Sequence, residues 1–322
     1  MRCSPASAPY LCAALARRIR GPLLACTLVA FCSTHACKCS RPSAGPARQA
    51  SLLRKIADPA VAEPSGLVRS RRYPGVFWTH GDSGNKPWIF AISSEGRYIA
   101  KVEVEGASAV DWEDIAVDDA GNLYIADTGN NENRRRDLAV FQIPEPDPFG
   151  SATSVRAART YRFRYASQVA YPDPHQLNYD AEALFWARGS LYLLSKHRSD
   201  LKTSLYRIPD EAAQQEVALT PLSTFELGGA PLRYCGMATA ADATDDGRFL
   251  AVLTYHALFV FERPVDSDDY LKRPVARVDF DQDQMQQCES VAWDGWSIIV
   301  GNEAGALWRV YDPFSRSTAI FP

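Results

Sequence analysis

The residues of this chain with the clearest chemical potential lie between Ser108 and Arg136, in the run SAVDWEDIAVDDAGNLYIADTGNNENRRR. Glu113 opens one apolar run, and Asp127 closes the next one after a glycine turn. The start of one strand and the end of the next lie at the same end of an antiparallel pair, so both carboxylates should face one side of the molecule. Together with Asn130 they supply the carboxylate and amide oxygens that Ca²⁺ and Mg²⁺ prefer as ligands.

The same pattern recurs further along the chain, because Glu182 and Glu289 also open apolar runs. Carboxylates gathered around one narrow axis repel one another unless a cation or a proton lies between them. The sequence therefore predicts a Ca²⁺ or Mg²⁺ site formed by Glu113, Asp127, Asn130, Glu182 and Glu289. A strand-initial glutamate can equally bind backbone amides of a neighbouring strand, and runs rich in Asp, Gly and Asn are also typical of tight turns. A purely structural role for these residues stays open at this point.

Two histidines and an aspartate are the candidates for catalytic proton transfer. His80 and Asp82 lie in the run WTHGDSGN, and His256 follows another β-rich run. An imidazole changes its protonation near neutral pH, and it could move a proton while a bound cation polarises a phosphoryl or carbonyl oxygen. The body of the sequence contains no nucleophile elbow, P-loop or H-E-x-x-H motif, so it predicts no more specific chemistry.

The candidate residues belong to an internal repeat of short β-rich runs. Its five units begin with SGLVRS at Ser65, EDIAVD at Glu113, EALFWA at Glu182, CGMATA at Cys235 and ESVAWD at Glu289. Three further β-rich runs follow each of these starts, and units of four strands at roughly 50-residue intervals are the signature of a β-propeller. The first run of each unit is rich in small apolar residues, as an innermost strand near the axis must be.

The sequence thus predicts an all-β propeller with five blades, each a four-stranded antiparallel sheet. The second interval is the longest because it contains an insertion from Pro144 to Tyr179. The run SLLRKIA, from Ser51 to Ala57, precedes the first unit and could close the ring by pairing with the last blade. A sixth blade, built from this run and the insertion, is the alternative.

Residues 1–36 are predicted to be a signal peptide. A basic segment precedes the apolar run Gly21–Cys32, which is short for a membrane span, and small residues lead up to Ala36. Cleavage after Ala36 would make Cys37 the first mature residue, as in a bacterial lipoprotein, although Thr34 departs from the usual lipoprotein pattern. Residues 37–50 would then form a flexible tether, and residues 51–322 the propeller domain.

We therefore expect an exported protein, either a periplasmic or cell-surface lipoprotein or a freely secreted one. An uncleaved N-terminal anchor is the alternative, and membrane contact is expected only through this terminus. Cys235 and Cys288 open inner strands of adjacent blades and could form a disulfide in an exported protein; two small buried residues are the other possibility. The formal net charge of −3 gives no reason to expect a nucleic-acid partner, and we expect a monomer.

The run DWEDIAVDDAGNLYIADTGNN, with weaker echoes in NYDAEALF, WTHGDSGN and CESVAW, carries a family resemblance. The chain resembles exported bacterial propellers grouped with NHL-repeat, SMP-30/gluconolactonase-like and phytase-esterase-like proteins, over about residues 51–322. In the gluconolactonase-like enzymes, acidic and amide residues at the mouth of the central channel hold a divalent cation. The resemblance makes Glu113, Asp127 and Asn130 the counterparts of those ligands, although the related enzymes usually have six blades.

Two functions are compatible with these observations. The first is a metal-assisted hydrolase that acts on a phosphoester, an ester or a lactone at the top-face channel. The second is a non-catalytic propeller that binds a protein, a glycan or a peptide on the same face, because propellers often only bind.

Overall fold

Short runs rich in β-branched and aromatic residues form antiparallel strands, and turns with Gly, Asp or Asn separate them. The computed structural model describes residues 50–314, apart from residues 57, 62, 83 and 85 and the segment 229–235. The described residues form five sheets arranged around one axis. The predicted all-β propeller is therefore confirmed, with five blades and not six. No helix of the described residues is long and apolar enough to span a bilayer.

The strands follow the predicted units closely. Strand β1 (Ser51–Lys55) precedes the first blade. Blade one contains β2 (Pro64–Arg69), β3 (Val76–Gly81), β4 (Trp88–Ser93) and β5 (Tyr98–Glu105). Blade two contains β6 (Trp112–Val117), β7 (Asn122–Asp127), β8 (Ala139–Pro144) and, after the short β9 (Ser154–Arg156), β10 (Arg159–Tyr165).

The remaining blades have the same order of strands. Blade three contains β11 (Asp180–Ala187), β12 (Ser190–Lys196), β13 (Lys202–Ile208) and, after the short β14 (Val217–Leu219), β15 (Ser223–Glu226). Blade four contains β16 (Ala238–Ala243), β17 (Phe249–Thr254), β18 (Ala257–Glu262) and β19 (Pro274–Asp279). Blade five contains β20 (Cys288–Asp294), β21 (Ser297–Asn302) and β22 (Ala306–Val310). Among the described residues, the helical segments are α1 (Gln282–Met285) and the 3₁₀ helices Asp210–Ala213 and Tyr270–Lys272.

Strand β1 supplies the fourth strand of blade five. It pairs antiparallel with β22, from Ser51 opposite Arg309 to Lys55 opposite Ala306. The predicted ring closure by the run that begins at Ser51 is therefore confirmed. The strand that precedes blade one thus belongs to the sheet of blade five, so the first and last blades are linked through the chain as well as by packing.

The insertion in blade two does not form a sixth blade. Strand β9 pairs parallel with β5 at the outer edge of blade one, and β10 is the regular outer strand of blade two. Strand β14, from the connection before β15, likewise pairs parallel with β10. Both additions cover outer edges that would otherwise expose unpaired backbone groups.

The hydrophobic core of the described residues consists of five large clusters, one at each interface between neighbouring blades, and a small sixth cluster of Leu201, Met237 and Tyr255. The cluster between blades one and two contains the fully buried Trp78 together with Ile115. The cluster between blades five and one contains Ala292 packed near Phe77. One sheet alone leaves two apolar faces exposed, and the ring arrangement buries both.

The inner strand of every blade carries a bulge near its start, and this feature positions the site. The register shifts between Ser65 and Leu67 in β2, Trp112 and Ile115 in β6, Ala181 and Ala183 in β11, Ala238 and Ala240 in β16, and Cys288 and Ser290 in β20. A bulge leaves one residue outside the ladder and redirects its side chain. The bulge positions hold Gly66, Glu113, Glu182, Thr239 and Glu289, so the three predicted glutamates occupy corresponding places in the ring.

Several predictions concern the parts of the chain that are not described. The signal peptide, nearly all of the tether and the lipidation site Cys37 lie outside the described residues, and so does Cys235. The described inner strand of blade four begins at Ala238, and Thr239 is the residue that corresponds to the glutamates of the other blades.

Candidate functional site

A narrow acidic cavity lies at one end of the propeller axis and has a volume of about 100 Å³. All five blades contribute to its lining, which consists of Glu63, Pro64, Ser65, Asp82, Asp111, Glu113, Asn131, Glu182, Lys196, Tyr255, Glu289 and Glu303. The predicted ligands Glu113, Glu182 and Glu289 thus meet in one place. They do so because each one occupies the bulge of its own inner strand.

Glu113 is the centre of the acidic cluster. Its side chain is buried, with a relative exposure of 7% for the residue, and its carboxylate receives no hydrogen bond from a described residue. Carboxylate oxygens of Glu113, Asp82 and Asp111 lie within 4.8 Å of one another. A second group, of Glu113, Asp180 and Glu182, meets the same distance limit. Burial, followed by the charges of Glu182 and Asp180, raises the pKa of Glu113 well above its ordinary value.

Asp127, a predicted ligand, supports the site from behind and does not line the cavity. It is fully buried. Its carboxylate accepts hydrogen bonds from the backbone N–H of Asp111, at 3.0 Å, and from the Ser108 hydroxyl, at 2.6 Å, and it pairs with Arg135 at 3.0 Å. Asp127 therefore fixes the approach of Asp111, which is the carboxylate that faces the cavity. Burial and the neighbouring charges of Asp180 and Asp82 raise the pKa of Asp111 to about 6.

Asn130, the third predicted ligand of this run, also holds the loop in place. Its side-chain amide donates to the carbonyl of Tyr179 at 3.0 Å, its side-chain oxygen accepts from the backbone of Arg135 at 2.9 Å, and its own backbone N–H donates to Asp180 at 2.6 Å. The adjacent Asn131 lines the cavity in its place. The contribution of Asp127 and Asn130 is thus to position neighbouring side chains.

Gly129 allows the carboxylates of Asp111 and Glu113 to approach the same loop. A Cβ atom at this position would collide with both carboxylates. The glycine in the DTGNN run is therefore required for close packing around the acidic groups, whereas the sequence pattern suggested only a turn.

The opposite side of the cavity carries its positive charge. Lys196 is buried, and its Nζ lies 2.8 Å from the Glu182 carboxylate and donates to the Tyr255 hydroxyl at 2.7 Å. Arg198 pairs with Asp180 at 2.6 Å. Burial and Asp180 raise the pKa of Glu182 to about 8 even though Lys196 opposes this shift. Burial lowers the pKa of Lys196, but Glu182 and Tyr255 outweigh this effect and raise the pKa well above its ordinary value. The ammonium group of Lys196 therefore stays charged.

Glu289 lines the narrow cavity, which adjoins a wider one. Its relative exposure is 9%, and burial raises the pKa of its carboxyl group well above the ordinary value, although the charge of Lys196 opposes this shift. The wider cavity, of about 630 Å³, is lined by Glu63, His256, Gln282, Asp283, Gln286, Gln287, Asn302, Glu303 and Ala304. Glu63 and Glu303 line both cavities, so the two form one groove across the axis.

The three predicted proton-transfer residues do not lie together. Asp82 lines the narrow cavity, and His256 lines the wider one. His80 is fully buried, donates its Nδ1–H to the Gly81 carbonyl at 3.0 Å, and packs edge-on against Trp112. Burial lowers the pKa of both histidines. A role for His80 in catalysis finds no support in this position, because its ring does not line either cavity.

A serine, a histidine and an aspartate in blade three are arranged like a catalytic triad. His197 Nε2 lies 2.9 Å from the Ser195 hydroxyl, and His197 Nδ1 lies 2.7 Å from the Asp200 carboxylate. Ser195, however, is fully buried, and its hydroxyl oxygen also accepts the backbone N–H of Ser204. A substrate cannot reach this hydroxyl, so the three residues brace the end of β12.

The strand-initial carboxylate that binds backbone amides of neighbouring blades is Asp114 and not Glu113. Asp114 is fully buried and accepts the backbone N–H groups of Ile115, of Leu184 in blade three and of Ala241 in blade four. The structural alternative considered from the sequence therefore applies to the residue next to Glu113. Burial raises the pKa of Asp114 well above its ordinary value.

Cys288 is buried at the start of β20 and forms no disulfide with a described residue, and burial raises the pKa of its thiol to about 12. Its predicted disulfide partner lies outside the described residues, so the disulfide stays a prediction.

The predicted ligand set lacked two of the carboxylates that complete the cluster, Asp111 and Asp180. Both precede a bulge glutamate by two residues, so the sequence repeats Asp-x-Glu in DWE and DAE. That repeat is the signal that could have identified them. Lys196 and Tyr255 lie at or just beyond the ends of β12 and β17, where the strand pattern gives no indication that their side chains meet.

The fold and the site define a five-bladed β-propeller with an acidic groove at one end of its axis. Among solved structures, the chain is similar to virginiamycin B lyase from Staphylococcus aureus, with 14% sequence identity, coverage of 79% of this chain and 67% of that chain, and a TM-score of 0.38. A catalytically inactive variant of that lyase with quinupristin gives 12% identity, the same coverage and a TM-score of 0.37. No protein-family model matches the chain, and no curated protein matches it. Similarity at this level carries no argument about the site, so its function is argued from its own geometry.

Proposed function

We propose that the protein is an exported β-propeller hydrolase that holds Ca²⁺ or Mg²⁺ at Asp82, Asp111 and Glu113 and cleaves a phosphoester, an ester or a lactone in the acidic groove. The observation that carries the proposal is the Glu113 carboxylate, which is buried, lines the cavity and receives no hydrogen bond from a described residue. A buried carboxylate needs a proton or a cation as its partner. A divalent cation would supply that partner.

Glu113 belongs to two clusters of carboxylates, one with Asp82 and Asp111 and one with Asp180 and Glu182. The two clusters differ in how well they fit a cation. Asp180 and Glu182 already lie beside Arg198 and Lys196. Within the described part of the chain, no lysine or arginine forms an ion pair with Asp111 or Glu113. The Asp82 side of Glu113 is therefore the better cation site, and its hard oxygen donors suit Ca²⁺ or Mg²⁺ better than zinc or copper.

Residues of the chain would supply the remaining chemistry. A divalent cation at this site would polarise the phosphoryl or carbonyl oxygen of a substrate. Glu182, whose pKa burial raises to about 8 against the opposing effect of Lys196, could pass a proton to a leaving group. Lys196 fixes both Glu182 and Tyr255 by its contacts to each, so the proton donor and the phenol keep their places at the cavity wall.

The alternative function is a non-catalytic propeller that binds a protein, a glycan or a peptide on the same face. The observation that favours it is the wider cavity, whose volume of about 630 Å³ is within the usual range for a ligand pocket. Both functions use the same groove, and they differ in whether chemistry follows binding.

The first experiment is metal analysis and thermal unfolding of the full chain with Ca²⁺, Mg²⁺ or EDTA, for the wild type and for Glu113→Gln. A cation that binds only the folded state raises the melting temperature by mass action. At a concentration one hundred times Kd, it increases the free energy of unfolding by roughly 2.7 kcal/mol. We expect Glu113→Gln to lose this rise, and Glu95→Gln, an exposed residue paired with Arg97, to keep it.

A screen of phosphoester, ester and lactone substrates then separates the two functions. Cation-dependent turnover that Glu113→Gln abolishes would support the hydrolase. Cation binding without turnover of any of the three classes would favour the binding module. If neither cation shifts the melting temperature, the metal site is wrong.

A further inference from the structure

The large apolar side chains that stay exposed are unevenly distributed over the propeller. The acidic groove lies at the end where the inner strands begin. We call the opposite end the lower face; it carries the turns that follow the inner strands, at residues 70–75, 118–121, 188–189, 244–248 and 295–296. Of the nine exposed large apolar residues in the described part of the chain, five lie in loops or at strand ends of the lower face: Tyr98, Phe149, Val265, Trp296 and Tyr311. Val110 and Val169 lie in loops at the groove end.

The most exposed aromatic side chains of the lower face belong to blade five. Trp296, in the turn between β20 and β21, is 70% exposed, and Tyr311, directly after β22, is 64% exposed. Both extend from the same end of one strand pair, because Ile298 of β21 lies opposite Val310 of β22. Leu52, near the lower end of the adjacent strand β1, is 60% exposed. Trp296, Tyr311 and Leu52 form what we call the aromatic patch.

The core of blade five does not use these side chains. Its interface with blade four is filled by two other tryptophans, Trp293 and Trp308, which are both buried. Neither Trp296 nor Tyr311 stacks on an aromatic ring of a described residue. Contact of apolar surface with water is unfavourable, so neighbouring exposed apolar side chains that the core does not need mark an interaction surface.

The turn that carries Trp296 is held firmly in place. Arg309 donates to the Asp294 carboxylate at 2.7 Å and to the Ser297 hydroxyl at 2.6 Å, and that hydroxyl donates to the Asp294 carbonyl at 2.9 Å. Asp294 and Ser297 flank the turn on both sides. A side chain presented by a fixed turn loses little conformational entropy when it binds.

The chain enters the propeller beside the aromatic patch. Ser51, the first residue of β1, lies opposite Arg309, two residues before Tyr311. The predicted tether, residues 37–50, therefore joins the propeller at the lower face and not at the groove. Even fully extended, a tether of this length spans at most about 50 Å. A lipid anchor at Cys37 would thus keep the lower end of blade five close to the bilayer surface.

We infer that the aromatic patch of Trp296, Tyr311 and Leu52 lies in the headgroup region of a phospholipid bilayer, with the acidic groove open on the side away from the lipid. Trp and Tyr favour this region because each combines an apolar ring with a polar N–H or O–H group that stays in contact with water. The sequence predicts membrane contact only through the N-terminus, and the patch adds a second contact. This inference goes beyond the proposed function and requires neither a metal nor hydrolysis.

Hydroxyl-radical footprinting of the full chain tests the inference, in solution and on vesicles of phosphatidylethanolamine and phosphatidylglycerol. Mass spectrometry then gives the oxidation rate of each exposed side chain. We expect the oxidation of Trp296 and Tyr311 to slow by about 2-fold or more on vesicles, because rings in the headgroup region lose much of their contact with water. His175, exposed in the connection from β10 to β11 at the groove end, should oxidise at the same rate in both samples.

Two matched substitutions locate the contact. Trp296→Asp places a charge in the patch, which is costly to bring into lipid, so Tyr311 should lose its protection on vesicles. Val169→Asp, at an 88% exposed residue of the groove end, should leave the protection of Tyr311 intact. Tyr311→Asp, with Trp296 as the reporter, is the second variant if Trp296→Asp does not fold. Exposed positions of this kind usually tolerate substitution, and the melting temperature checks each variant.

The other outcomes overturn the inference. Equal oxidation of Trp296 and Tyr311 in solution and on vesicles would show that the patch does not contact lipid. Slow oxidation already in solution would show that protein covers the patch: a second copy if the protection increases with protein concentration, and residues 315–322 of the same chain if it does not. The test uses no divalent cation and no substrate, so the inference and the proposed function stand or fail separately.

Discussion

Glu113 and Asp111 lie close together in space because the residue opposite them, Gly129, has no side chain. Two carboxylates held this closely would normally be separated by a residue that fills the gap. The chain instead keeps the gap open, and Asp127 anchors the backbone of Asp111 from the other side. The close approach of these carboxylates increases their electrostatic repulsion, and it also forms a compact group of oxygen ligands.

Gly129→Ala should therefore damage the acidic cluster more than the fold. The added Cβ would collide with both carboxylates, and overpacking of this kind typically costs about 1 to 3 kcal/mol. We expect a lower melting temperature and a smaller rise with Ca²⁺ or Mg²⁺ in thermal unfolding. Gly150→Ala, in the loop after β8, is the control, because a Cβ there meets its nearest neighbour at 3.3 Å. An unchanged cation effect in Gly129→Ala would contradict the proposed ligand geometry.

Asp242 gives a test of the pH dependence away from the site. Its carboxylate is buried, accepts the backbone N–H of Trp293 at 2.8 Å, and has its pKa raised by burial from 3.8 to about 7. Because the folded-state pKa is the higher one, the contribution of Asp242 to stability is complete below about pH 3.8 and is lost as the pH rises through about 7.

Asp242→Asn should remove that loss, because an amide oxygen can accept the same N–H group without carrying a charge. We expect the variant to exceed the wild type in stability by about 2 to 4 kcal/mol at about pH 8, and by less at about pH 5. Urea unfolding at several pH values measures the difference. Asp266→Asn, at an exposed residue, should follow the wild type at every pH. If the stability of the wild type does not fall relative to that of Asp242→Asn between these pH values, the pKa of Asp242 is not raised into this range.

The sequence predicted the strands well, and it could not predict the bulges. Short apolar runs rich in β-branched and aromatic residues identify β2 to β5 and their counterparts: β2, β3 and β4 are buried at nearly every position, and the outer strand β5 is partly exposed. A bulge changes the register between two strands without altering the composition of either one. The place where Glu113, Glu182 and Glu289 meet was therefore predicted from their repeat, while the separation of Asp127 and Asn130 from the cavity was not.

The short strands β9 and β14 were missed for a related reason. Each has only three residues, and each pairs with the outer strand of the preceding blade. Such a pairing depends on the position of another blade and not on the local pattern. Elements of this kind are determined by tertiary contacts, which one sequence does not display.

The buried carboxylate of Asp114 connects three inner strands, so its removal should lower the stability of the propeller. Asp114→Ala would leave the buried N–H groups of Ile115, Leu184 and Ala241 without an acceptor, and each unsatisfied group costs about 1 to 3 kcal/mol. We expect the free energy of unfolding to fall by about 2 to 5 kcal/mol in urea denaturation. Glu132→Ala, in an exposed ion pair with Arg134 of the same blade, should change it by less than about 1 kcal/mol. Equal effects of the two substitutions would contradict the axial role of Asp114.

The groove exists only when all five blades are in place, because every blade contributes to the narrow cavity. The ring in turn depends on β1, which adds the outer strand to blade five. The part of the chain nearest the N-terminus therefore supports a site formed by residues up to 250 positions away, of which Glu303 is one. Binding at the groove and closure of the ring should stabilise each other, because the ligand binds only the closed form.

Deletion of Ser51–Lys55 from the full chain tests this dependence. The deletion removes the strand that pairs with β22, so we expect blade five to open first. The free energy of unfolding should fall by on the order of 3 kcal/mol, because a repeat protein loses the interface energy of a missing element. Hydrogen exchange of the amides in β22 should become faster than that of the amides in β7 or β12. Removal of an equal number of residues from the predicted tether, at 41–45, is the matched control and should leave the exchange of β22 unchanged. If the deletion leaves β22 as well protected as β7, strand β1 does not close the ring in solution. If it exposes β22 and also lowers the affinity for the divalent cation, closure of the ring and occupancy of the groove are coupled.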